Sequence, residues 1–119
     1  MLAAKNRFHG HGSLRFVYSR GKIARSKHFV CKFTSNPRRS EPRVAVVVSK
    51  KVIKSAVKRN RIRRRLYEVV RLEFSKINPQ TDLVFIVVSS EVLVVPNQEL
   101  KDNVMRSLQT LGLYKAPGK

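Results

Sequence analysis

A chain of 119 residues carries 26 Lys and Arg against 7 Asp and Glu, a formal charge of +19, with 42% apolar residues. That apolar share is enough for one modest core in a single domain over 1–119, with 1–12 and 114–119 as its free ends, and it excludes wholesale disorder. A field of this size attracts polyanions, which ranks nucleic acid first among partner classes and an anionic membrane surface second.

Met1 to Arg20 contains no apolar h-region, so no secretory signal is expected. Within the segment, Ser13 is placed to cap a short helix with Leu14, Val17 and Tyr18 at one-turn spacing, stopped by Gly21. "HFVCKFTS" (His28 to Ser35) alternates as a strand with Phe29, Cys31 and Phe33 on one side. "NPRRSEP" is turn chemistry. "RVAVVVS" (Arg43 to Ser49) is a continuous β-branched run, the pattern of a strand covered on both faces. "KKVIKS" follows as a basic connector.

A long helix is predicted from Ser55 to Lys76, ending before Asn78-Pro79. Ile62, Leu66, Val69, Val70, Phe74 and Ile77 fall on one stripe; Asn60, Arg64, Tyr67 and Arg71 fall roughly opposite. Lys58, Arg59, Arg61, Arg63, Arg64 and Arg65 crowd the N-terminal half, where the helix dipole makes cations least welcome. Like charges that close repel, and no acid occurs before Glu68 to offset them. A docked helix that keeps such a run implies an anion outside the protein. "TDLVFIVVSS" (Thr81 to Ser90) is another buried strand, and "LVFIVV" within it is too short to span a bilayer. A second helix spans Pro96 to Gly112, with Leu100, Val104, Leu108 and Leu111 inward. Strands alternating with helices argue for helices packed on one sheet.

A protein active site is hard to assemble. Seven acids make a paired-carboxylate centre improbable, and no Ser–His–Asp arrangement is present. His9 and His11 have no Cys, Asp or Glu nearby to complete a metal site. Cys31, the single cysteine, excludes an internal disulfide, fits a reducing cytosol and alternates with Phe29 and Phe33 as a core thiol. The nucleic-acid features are stronger: guanidinium forks suit phosphates, and Lys50, Lys51 and Lys54 extend the patch. Phe16 or Tyr18 is available for base stacking, core packing being the alternative. Helix-turn-helix and zinc-finger spacings are absent, which favours RNA over sequence-read DNA.

"RVAVVVSKKVIKSAVKRNRIRRRLYEVVR" is similar to the signature of bacterial ribonuclease P protein subunits: a strand ending in Ser49-Lys50-Lys51, a connector, then the Arg59-Asn60-Arg61 helix. "NRF" at Asn6 to Phe8, "SRGK" and "DLVFIVV" resemble further segments of that family in the right order. The resemblance implies an αβββαβα fold, an α/β two-layer domain with one central sheet packed by helices. It also implies a left-handed βαβ crossover and a likeness to the second domain of a small-subunit ribosomal protein. The implied function is maturation of the 5′ end of tRNA by a ribonucleoprotein endonuclease in the cytoplasm. Its partners are the catalytic RNA and precursor tRNA, with no membrane or protein partner. Its Mg²⁺ is held mainly by the RNA, and no protein residue is expected to be catalytic. RNA binding then falls to Lys50, Lys51, Lys54, Lys58, Arg59, Asn60, Arg61, Arg63, Arg64 and Tyr67, with Asn60 the one candidate for an indirect metal contact. A cleft for the 5′ leader is expected from Leu14, Tyr18, Phe29 and Lys32. The chain departs from the family at Leu14 and Lys32, where aromatics are usual, and at Tyr67, Val88 and Ser89, where basic residues are common. The alternatives are a ribosomal or other structural RNA-binding protein, and a membrane-surface binder using the stripe from Ile62 to Ile77.

Overall fold

The β-branched and aromatic runs form strands and the 3.6-residue stripes form helices, in a computed structural model that describes residues 21–115. The order is β1 (Lys22–Arg25), β2 (Phe29–Ser35), β3 (Arg43–Val47), α1 (Ala56–Glu73), β4 (Thr81–Val87) and α2 (Asn97–Thr110). One four-stranded sheet runs β1-β2-β4-β3. β2 pairs antiparallel with β1 and β4, while β3 pairs parallel with β4, so α1 is the crossover between two adjacent parallel strands. This is the expected mixed fold; its first helix, with Leu14, Phe16, Val17 and Tyr18, and the histidines at 9 and 11 lie outside the described residues.

Both helices cover the same face of the sheet. Phe29 and Cys31 of β2, Val44 and Val46 of β3, and Leu83, Phe85 and Val87 of β4 join Ile62, Leu66, Val69 and Val70 of α1 in one core. Leu100, Val104 and Leu108 of α2 complete it. Phe29 and Phe85 meet edge-to-face, with ring centroids 5.3 Å apart. Burial pushes the Cys31 thiol far up from its ordinary value, as expected for a core cysteine. The other face carries a smaller cluster of Ala45 and Val84 with Val47 and Ile86 packed on it. β3 therefore carries apolar side chains on both faces, although it stands at an edge.

The helix boundaries follow local chemistry. Ser55 caps α1 by accepting from the Lys58 N–H at 3.2 Å. A 3-10 turn over Phe74–Lys76 then continues to the predicted stop. α2 ends short of Gly112, whose φ of 68° allows the reversal that glycine tolerates best. Contrary to a free tail from residue 114, the chain here is docked. Ile77 bridges to Tyr114, and the Lys115 N–H donates to the Lys76 carbonyl at 2.8 Å. The Tyr114 hydroxyl donates to the buried Glu73 carboxylate at 2.9 Å.

Two expectations are corrected. Tyr67 does not lie on the exposed face of α1: it is 9% exposed, and its hydroxyl accepts the Val46 N–H at 3.2 Å. An edge strand leaves one row of N–H groups without a strand partner, and the phenol satisfies this one. Phe29 does not line a cleft, because it is fully buried under the helices.

Candidate nucleic-acid interface

The basic connector and the start of α1 form one piece. After β3, the N–H groups of Val52 and Ile53 donate to the Ser49 carbonyl at 3.1 and 3.3 Å, closing a turn. Val52 and Ile53 pack against the core, and Lys50, Lys51 and Lys54 are left exposed. The Arg59 guanidinium then donates to the carbonyls of Ile53 at 3.1 Å and Lys54 at 2.7 Å. It ties connector to helix while leaving its remaining N–H donors available.

Along α1, Lys58, Asn60, Arg61 and Arg64 are exposed and Arg63 is half-buried. Arg63 donates to the Asn60 side-chain oxygen. Among the described residues, the side chains of Lys50, Lys51, Lys54, Lys58, Arg61 and Arg64 make no ion pair. No acid occurs in the sequence between Glu41 and Glu68. The C-terminal half of the helix differs. Arg71 grips Glu68 at 2.5 Å, and the hydrogen bond from Arg71 holds the Glu68 carboxyl below the usual carboxylate range. One end of the helix is thus electrostatically closed and the other open.

Arg65, counted in the basic run on sequence, belongs to neither group. Its guanidinium donates to the Val92 carbonyl at 2.5 Å, the Val95 carbonyl and the Asn97 side-chain oxygen at 2.7 Å, fixing α1 to the segment that leads into α2. The signal was present: Arg65 stands three residues after Ile62 and four before Val69, at the margin of the buried stripe.

The second candidate surface is the sheet face away from these helices. Lys32, aligned between Ile23 and Val84, points to it, while Phe29 points to the core, as strand alternation requires of residues three apart. Half-buried Val30 and Ile86 and exposed Arg25 lie one register step along. Leu14 and Tyr18 lie outside the described residues, so Lys32 is the expected cleft residue that the described face retains. At the end of the sheet where β2 begins, buried His28 lies 3.4 Å from Glu99 and 3.6 Å from Glu91. Among the described residues, no three His, Cys, Asp or Glu side chains converge to hold a metal ion. No described helix is long and apolar enough to cross a membrane. The stripe that a membrane-surface binder would need is consumed by the sheet.

Fold and surface together define a small α+β domain with one strongly basic helix edge. A family model described as Ribonuclease P matches residues 2–112. The ribonuclease P protein component of Pseudanabaena sp. is 33% identical over 109 residues, covering 91% of this chain and 92% of that one. That of Chloroflexus aurantiacus is 39% identical over 80 residues, which are 67% of this chain and 58% of the relative's length. The solved Staphylococcus aureus RNase P protein superposes with a TM-score of 0.80 at 21% identity, covering 92% of this chain and 98% of that one. The chain belongs to the ribonuclease P protein family.

Proposed function

We propose that this chain is the protein subunit of ribonuclease P and promotes endonucleolytic 5′ maturation of precursor tRNA in the cytoplasm. The observation that carries the reading is the open half of α1: a row of cations with no acid beside it, backed by Lys50, Lys51 and Lys54 on a connector fixed to the same helix. Such a surface neutralises a phosphate backbone and gains from counterion release. It binds the catalytic RNA through Lys50, Lys51, Lys54, Lys58, Arg59, Asn60, Arg61, Arg63 and Arg64. The single-stranded 5′ leader lies on the other sheet face, with Lys32 as one contact.

The chemistry belongs to the RNA and its Mg²⁺, which activates water and stabilises the leaving oxygen when bound. The protein's part is to ease repulsion between two polyanions and so raise substrate and metal affinity. The test is reconstitution of a bacterial ribonuclease P RNA with precursor tRNA at limiting Mg²⁺, with and without this protein. Faster cleavage at the correct 5′ site is expected. Tight, salt-sensitive RNA binding without stimulation would instead support a structural RNA-binding role.

A further inference from the structure

A groove of about 470 Å³ runs between the outer edges of α1 and α2. Val69 and Leu72 form its apolar lining, beside Arg64 from one helix and Lys101 from the other. Leu72 is a large apolar side chain left 55% exposed. Neither Arg64 nor Lys101 has a side-chain partner among the described residues. Glu68, the acid of this lining, is taken by Arg71. The volume lies in the lower part of the range for small-ligand sites, roughly 300–1,000 Å³.

We propose that this groove receives one unpaired nucleotide of a bound RNA strand, its base on Val69 and Leu72 and its phosphates on Arg64 and Lys101. The inference rests on the RNA-binding reading above and extends it into a groove that shares Arg64 with that surface. The groove asks for a ligand that is flat and apolar on one side and anionic at its ends. Single-stranded RNA offers both, whereas a duplex hides its base faces in the stack. The Arg64 guanidinium forks onto phosphate oxygens, and the Lys101 ammonium acts as a point charge on phosphate. Asn97, also of the lining, accepts from Arg65 through its oxygen, which leaves its amide N–H₂ as a donor for a base edge. A second copy of the chain would bring another +19 to the same place, so charge disfavours that occupant.

The experiment compares a short single-stranded oligoadenylate with an RNA duplex of equal length, binding each to the full chain and to Leu72→Ser and Lys101→Ala. Leu72→Ser is expected to weaken oligoadenylate binding by about tenfold, or ~1.4 kcal/mol, and to leave duplex binding unchanged. Lys101→Ala is expected to lower the salt slope for the oligoadenylate by about one unit. Equal weakening of both RNAs by Leu72→Ser, or no effect on either, overturns the proposal. So does a concentration-dependent dimer that Leu72→Ser abolishes. If the unmodified chain binds neither RNA, the RNA-binding reading falls with it. If the chain binds RNA and stimulates cleavage while Leu72→Ser changes nothing, the groove alone is refuted.

Discussion

The two long helices lie on the same face of the sheet and share one core, yet they differ in every exposed respect. α1 carries seven Lys and Arg against two acids, and α2 carries two of each. Each buries a comparable stripe, Ile62, Leu66, Val69 and Val70 in the first, Leu100, Val104 and Leu108 in the second. Packing therefore constrains only one side of a helix, and the other side is free to take a charge pattern that is unfavourable for the isolated protein. α1 uses that freedom to hold an open cationic edge, stabilised by the core beneath it.

Truncating the stripes tests the shared part of the comparison. Leu66→Ala and Leu108→Ala should each cost about 2–5 kcal/mol in denaturant melts, because both side chains are fully buried. A loss confined to one helix would break the equivalence. Next in size are two polar contacts of α1 that face inward. Arg65→Ala removes the donor to two carbonyls and an amide oxygen, and Tyr67→Phe strands the Val46 N–H. Each should cost about 1–3 kcal/mol.

Arg64→Ala sharpens the contrast with its neighbour Arg65. Stability should stay within about 0.5 kcal/mol, while the salt slope for binding the catalytic RNA drops by about one unit. An unchanged slope would remove Arg64 from the contact surface. The smallest effect concerns the closed end of α1. The Glu68 carboxyl is held below its ordinary range by Arg71, so its contribution is present above the unfolded carboxylate value and is lost as pH falls through the lowered one. The melting temperature of Glu68→Gln should accordingly converge on that of the unmodified chain in acid, and a constant difference across that range would refute the pairing.

Much of this was legible in the residues. The stripe from Ile62 to Ile77, the Asn78-Pro79 stop and the alternation of Phe29, Cys31 and Phe33 each predicted their element. What escaped was what depends on neighbours. Tyr67 sits opposite the stripe on an ideal helix, but the edge of β3 reaches round to it, and a wheel contains no edge strand. Phe29 and Lys32 were grouped in one cleft on family likeness, although strand alternation sends them to opposite faces. β1, four residues long, is too short to show a pattern of its own. Arg65 was absorbed into the basic run, because a cation that binds carbonyls and one that awaits a phosphate are the same letter.

The stretch between Glu41 and Glu68 without an acid also has a kinetic meaning. The connector and the first half of α1 hold a dense run of exposed cations, while Glu91 and Glu99 lie near His28, so the charge is unevenly spread over the surface. A polyanion within a Debye length, about 8 Å at physiological salt, exerts a torque as well as a pull. Such a torque turns a cationic edge toward an RNA before contact, and association with RNA is therefore expected to quicken as ionic strength falls.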